Sequence, residues 1–263
     1  MKKTILITGC SSGFGRDSAI ALAKRGHHII ATTRTEESAQ ELAAFAKQKN
    51  LDIETFKLDI TQDADRQKIA NYDIDVLLNN AGTGESGSLA EIPLEKIRHD
   101  FEVNVFGSIA LAQLALKKMM AKDRGTVLFV SSLAGRIAMP FLGSYSMTKF
   151  ALCGGVDVLR KEIYRVTKNV HIALIEPGAY HTGFNQRNVA KQYKWMDETS
   201  YFSDIKDVLK KDEEQYFQQM EIKSTKSMVD KIVQACEAKN PKLRYVAPWW
   251  QGLGVQIMRI FGK

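Results

Sequence analysis

The sequence predicts an α/β fold, a doubly wound parallel sheet with helices on both faces, in a single domain over residues 1–263. Three observations carry this prediction. Short apolar runs alternate with helical stretches from the first residues onward, the pattern of βαβ units. A glycine-rich turn, Thr8 to Gly15, joins the first strand to the first helix. No internal repeat or low-complexity linker divides the chain.

The elements follow from hydrophobic periodicity. Residues 3–8 read as a buried strand and 14–25 as a helix stopped by Gly26. A second strand (28–33), a second helix (36–49) and a third strand (53–58) come next. A short helix (61–70), a strand (74–78), a long helix (94–120) and a strand (126–130) continue the alternation. A helix over 144–168 and a strand at 170–175 close the regular part. Between about 184 and 225, polar and aromatic residues mix without clear period, which reads as a long insertion in the same domain. Residues 227–238 then read as a helix and 243–247 as the last strand.

Bulk properties narrow the function class. The chain is 44% hydrophobic and 25% charged, as in ordinary globular proteins. Its net charge of +7 suits anionic ligands such as nucleotides. Lysine and arginine are scattered rather than blocked, which favours a solvated surface over nucleic-acid binding. Cys10, Cys153 and Cys236 are far apart and odd in number, suggesting neither disulfides nor a metal site. The apolar run Ile5-Leu6-Ile7 is too short for a signal peptide. No stretch approaches the ~18 apolar residues of a spanning helix, so a cytoplasmic location is expected.

The turn Thr8-Gly9-Cys10-Ser11-Ser12-Gly13-Phe14-Gly15 suits a pyrophosphate. Its glycines allow a tight turn and close backbone approach, and the amides at the helix start favour phosphate charge. Its other reading is an ordinary strand-to-helix turn using glycine for shape. At the end of the second strand, an acid would accept hydrogen bonds from a free ribose and repel a 2′-phosphate. Here Ala31-Thr32-Thr33-Arg34 offers no acid and an arginine. A guanidinium can hold a phosphate and stack on adenine, so NADP(H) is expected over NAD(H); otherwise Arg34 is a surface charge. Asp59, with Ile60 beside it, sits where an adenine amino group could be read, or it caps the following helix.

Tyr145 and Lys149 lie four residues apart at the start of a helical run, so they share one face. An ammonium near a phenol favours the phenolate and brings a group with a pKa near ~10 within reach of acid–base work. Tyr164 and Lys168 have the same spacing but fall at a helix end before a strand, so the spacing alone decides nothing.

Gly9-x-x-x-Gly13-x-Gly15, Asn79-Asn80-Ala81-Gly82, Asn104, Ser132, Tyr145-x-x-x-Lys149 and Pro177-Gly178 occur in one order at familiar separations. Together they resemble the short-chain dehydrogenase/reductase family in its compact form, over residues 2–182 and loosely again over 227–247. The resemblance implies a Rossmann-like dinucleotide fold and hydride exchange between a nicotinamide and a carbonyl or alcohol. It makes Tyr145 the general acid or base and gives Lys149 the nicotinamide ribose. Ser132 would hold the substrate oxygen, with Ser131 the runner-up, and Asn104 a water in the proton relay. The cofactor would lie along Gly9, Ser11, Ser12, Gly13, Phe14, Gly15, Arg34, Asp59 and Ile60. It would then pass Asn80, Ala81 and Gly82 and end between Lys149, Pro177, Gly178 and Thr182. The family's usual interface, on the helices at 94–120 and 144–168, implies a homodimer or homotetramer.

Substrate choice in this family falls after Pro177-Gly178. Here residues 184–224 carry Phe184, Tyr193, Trp195, Met196, Tyr201, Phe202, Tyr216, Phe217 and Met220. Such a lid suits an apolar carbonyl or alcohol, unless these residues merely pin it to the body. Met139, Phe141 and Leu142 are expected at the same cleft. The pattern is similar to members acting on hydroxysteroids and retinoids and to bacterial reductases, without fixing a substrate. Three roles are open to the tail from Pro248-Trp249-Trp250 onward: closing the cleft, packing on a subunit, or touching a membrane surface. Tryptophans beside glycines make a poor helix face, which favours the first two. The rival functions are a catalytically idle dinucleotide sensor on the same fold and, among enzymes, a sugar-nucleotide epimerase or dehydratase.

Overall fold

The computed structural model describes residues 2–262, and the side chains of residues 189 and 191–195 are not among those described. The expected lid contacts of Tyr193 and Trp195 therefore lie outside the described residues. Strands β1 (Thr4–Ile7), β2 (His28–Thr33), β3 (Ile53–Lys57), β4 (Val76–Asn79), β5 (Gly125–Val130), β6 (Val170–Pro177) and β7 (Arg244–Ala247) form one sheet. Their order is β3-β2-β1-β4-β5-β6-β7, and every pairing is parallel. The sheet is Rossmann-like, with its order reversing between β1 and β4. Ligands bind at such a reversal, outside the carboxyl ends of the strands.

The alternation of side chains along each strand explains why the centres of these runs are apolar. Ile5 and Ile7 enter one core cluster with Ile29, Leu78, Leu128 and Ile175. Leu6, between them, enters the opposite cluster with Ile30, Leu77, Phe129 and Leu174. Both faces are covered, so apolar residues dominate each, and polar ones such as Thr32, Thr33 and Glu176 are buried exceptions. Helices α1 (Gly13–Lys24), α2 (Glu36–Gln48) and α3 (Asp63–Gln67) lie near the expected bounds. The short expected helix at 61–70 divides into α3 and a 3-10 turn, Lys68–Asn71.

The long helix expected over 94–120 is interrupted. α4 (Leu94–Phe101) passes through a widened π segment, Glu102–Gly107, into α5 (Ser108–Ala121). Asn104 sits in that segment, the kind of local widening found at functional sites. α6 (Gly143–Val166) carries Tyr145 and Lys149.

Residues 184–225 are more regular than their sequence suggests. They contain α7 (Phe184–Trp195), a 3-10 turn at Ser203–Ile205 and α8 (Lys206–Met220). No side chain of α8 is fully buried; Leu209, Phe217 and Met220 are half-buried on one face, and the rest of the helix is rich in lysine, glutamate and glutamine, good helix formers. α9 (Lys226–Glu237) follows. The tail is also helical: α10 runs Trp249–Ile260. Gly252 permits close packing, since a Cβ there would lie 2.5 Å from Val246 Cγ1. Among the described residues, no helix is long and apolar enough to cross a membrane.

Candidate active site

The loops leaving the carboxyl ends of β1 to β6 surround a cavity of about 1080 Å³. At its β1 end, Gly9 and Gly13 adopt φ of +71° and +56°, a region open to glycine. A Cβ on Gly9 would meet Ala81 Cα at 2.8 Å. Asn80 holds this loop, donating from Nδ2 to the carbonyls of Thr8 (2.8 Å) and Gly9 (3.1 Å). The Thr8 hydroxyl in turn accepts from the amides of Asn80 and Ala81 at 3.0 and 2.9 Å. Ser12 makes no side-chain cap on α1, so the first amides of the helix keep their capacity for an anion. This backbone cradle fits a dinucleotide pyrophosphate.

Of the expected cofactor contacts, Gly9, Ser11, Ser12, Gly13, Phe14, Arg34, Asp59, Ile60, Asn80, Ala81, Gly82, Pro177, Gly178 and Thr182 all border the cavity. Gly15 does not. It packs behind the loop, where a Cβ would lie 2.4 Å from the Gly9 carbonyl oxygen. Asp59 serves its own turn, accepting from the amide and hydroxyl of Thr61 at 2.9 and 2.8 Å. Arg34 is exposed beside Thr35 and Ser38 at the cavity wall, with no ion pair among the described residues.

At the other end, Ser132, Tyr145 and Lys149 meet at the cavity wall. The Ser132 side chain lies by the Tyr145 phenol and favours its ionised form. The Ser131 hydroxyl instead turns inward, 3.4 Å from the Lys149 carbonyl oxygen and 3.1 Å from Cys153 Sγ. That geometry separates the two serines. Lys149 Nζ donates to the Val130 carbonyl at 2.9 Å and lies 5.4 Å from the Tyr145 ring centroid.

The electrostatics of the chain alone run opposite to the expected lowering of the phenol. Burial pushes Tyr145 up to about 12, against a smaller pull from the Ser132 side chain. Burial also pushes Lys149 down to about 8. The ammonium lies over the ring, and both groups have lost water.

Asn104 stands behind this pair and does not line the cavity. Its Oδ1 accepts from the Thr83 amide at 2.9 Å, and its Nδ2 donates to the Thr83 carbonyl and Thr148 hydroxyl at 2.8 and 2.9 Å. The Asn104 side chain is thus committed to protein groups.

Further supports were not legible in the sequence. Buried Glu176 takes both Arg136 nitrogens at 3.0 and 2.6 Å and also binds Arg244. It ties the turn after Ser132 to the strand end before Pro177-Gly178. Phe184 and Asn188, one turn apart on α7, approach the Tyr145 ring through a gap kept by Gly84, where a Cβ would lie 2.9 Å from Tyr145 Cδ2. Met139 and Leu142 border the cavity as expected, but Phe141 does not. With φ +60°, Phe141 turns to pack edge-on against Phe202 at 5.2 Å. In the variable segment, Phe184, Tyr216, Phe217 and Met220 face the cavity, while Met196 is buried elsewhere and Tyr201 is exposed.

Residues 3–193 match the short chain dehydrogenase family. The chain belongs to the short-chain dehydrogenase/reductase family. It is 37% identical over 191 residues to the uncharacterized oxidoreductase YusZ of Bacillus subtilis strain 168, which covers 69% of this chain and 66% of that protein. It is 29% identical over 255 residues to an NADPH-dependent 3-dehydrocapnine reductase of Ornithobacterium rhinotracheale, covering 92% of this chain and 86% of the relative. A crystal structure of a short chain dehydrogenase/reductase from Burkholderia phymatum in complex with NAD is similar in fold, with a TM-score of 0.83 over 98% of this chain and 93% of that one at 18% identity.

Proposed function

We propose that this protein is an NADP(H)-dependent oxidoreductase that interconverts a ketone or aldehyde and an alcohol, acting on a substrate with a large apolar part. The carrying observation is that one cavity joins the glycine cradle, Arg34 and the Ser132–Tyr145–Lys149 group. When bound, the nicotinamide supplies or accepts the hydride at C4. Ser132 holds the substrate oxygen, and Tyr145 gives it a proton in reduction or takes one in oxidation. Lys149 holds the nicotinamide ribose and adds positive charge beside the phenol. Asn104 positions this group through Thr83 and Thr148.

The Arg34 side chain, free of ion pairs among the described residues, supports a 2′-phosphate contact. The NADPH-dependent relative points the same way, while the Burkholderia structure holds NAD. The apolar reading rests on Met139, Leu142, Phe184, Phe217, Met220 and Trp250 around the cavity near Tyr145. α7 and α8 would act as the lid. Exposed Phe106, Met147 and Phe150 support a homo-oligomer, which light scattering would test directly.

The deciding experiment is an NADPH-oxidation screen against polar and apolar carbonyls, with NADH in parallel. Turnover with NADPH on large apolar carbonyls is expected. Equal rates with NADH would remove the phosphate role of Arg34. Cofactor binding with no turnover of any carbonyl would favour the idle sensor.

A further inference from the structure

Helix α10 carries an apolar stripe that no other part of the described chain covers. Trp249, Leu253, Ile257, Ile260 and Phe261 recur at helical spacing and share one face. Their exposures are 74, 52, 47, 70 and 74%, whereas Gln251 and Val255 on the opposite face are buried. The polar positions Gln256 and Arg259 fall to one side of the stripe. Exposed apolar surface this continuous marks an interaction site.

We propose that this face docks on the surface of an anionic lipid bilayer. Charge complementarity selects that partner. Residues 248–263 contain Arg259 and Lys263 and no acid, and residues 184–195 contain three basic residues and no acid. Arg187 of the latter borders the same cavity as Trp250 and Met258, which puts that guanidinium at the edge the tail shares. Tryptophan, with an apolar body and one N–H donor, suits the boundary between headgroups and acyl chains.

Area argues against a second copy. A helix of twelve residues is about 18 Å long, and a face roughly 10 Å wide gives a footprint near ~200 Å². Stable dimers bury about 800 Å² per partner. A bilayer has no such threshold, because each inserted side chain contributes separately. The stripe is also continuous with the cavity edge. Trp250 and Met258, 42% and 43% exposed, lie beside it and line the cavity at the same time. Docking therefore sets the cavity edge at the lipid surface. The inference stands on the helix and not on the proposed activity.

The test is co-sedimentation of the full chain with vesicles of phosphatidylcholine alone and of phosphatidylcholine mixed with phosphatidylglycerol. The wild type should pellet with the anionic vesicles, less so in high salt, and stay in the supernatant with phosphatidylcholine alone. The triple change Trp249→Ser, Leu253→Ser and Ile257→Ser should reduce partitioning by roughly tenfold or more, with melting temperature and light-scattering mass unchanged. Arg259→Glu should weaken binding to anionic vesicles by a smaller factor. Failure of the wild type to pellet would overturn the proposal, as would undiminished pelleting of the triple variant. A fall in oligomer mass in that variant would also overturn it, by assigning the stripe to a subunit contact.

Discussion

The Asp100 carboxylate accepts the Ser144 hydroxyl at 2.6 Å, joining the end of α4 to the first turn of the helix that presents Tyr145. The same oxygen accepts the Glu85 amide at 3.0 Å, while Oδ1 is buried without a partner. Asp100 is wholly buried, and that burial holds its carboxyl above the usual range. It touches no cavity wall and acts through Ser144, as a positioning residue. Asp100→Ala should lower kcat by about tenfold or more with little change in KM, and should cost about 1–3 kcal/mol of stability. Asp100→Asn, which can still accept from Ser144, should recover most of kcat. Parallel loss of kcat in both variants would refute a positioning role.

Tyr145→Phe keeps the ring against Phe184 but removes the proton. Turnover should fall by roughly 10²- to 10⁴-fold, while the cofactor dissociation constant stays nearly unchanged. Ultraviolet titration of the free protein, wild type minus this variant, should show the phenol ionising near 12. A difference spectrum complete by pH 10 would contradict that placement.

Arg34→Ala should raise KM for NADPH by about tenfold or more, the scale of one hydrogen bond to a charged group, and leave KM for NADH almost unaltered. Steady-state kinetics with both cofactors decides it. Equal effects would show Arg34 to be a surface charge.

Burying Lys149 disfavours its charge, so its pKa falls from 10.5 to about 8. Below pH 8 both the folded and unfolded chains are protonated, and the full cost of the buried ammonium is present. Between about 8 and 10.5 the unfolded chain binds more protons, so this group makes stability rise with pH. The span corresponds to roughly 3 kcal/mol. Lys149→Met should therefore gain on the wild type below pH 8, and the gain should shrink as pH climbs to 10.5. Thermal melts across that range measure it, and a pH-independent difference would exclude the shift.

The sheet was readable because both of its faces are covered, so Ile5-Leu6-Ile7 and the central parts of its counterparts are apolar on both faces. The cradle and the Ser132–Tyr145–Lys149 group were readable from motif order. What escaped depends on contacts the chain makes only when folded. Asp100 and Ser144 are 44 residues apart, and neither belongs to a recurring spacing. α8 has helix formers but only half-buries its few apolar residues, so the periodic signal was faint. α10 was obscured by Gly252 and Gly254. One of these glycines lets the helix approach Val246, and the other has open space around it. The sign of the Tyr145 shift is set by burial, which a four-residue spacing does not specify.

Gln251 gives the tail a reach beyond its own helix. Its Oε1 accepts the Ala179 amide at 2.8 Å, its Nε2 donates to the Met220 carbonyl at 2.9 Å, and Gly178 lies too close beneath it to carry a Cβ. The nicotinamide-side loop, the end of α8 and the tail are therefore bolted at one amide. Chimeras that swap the variable segment with a relative should transplant residues 178–221 and α10 as one cassette. Exchanging either piece alone leaves a glutamine without its partners, or its partners without the glutamine.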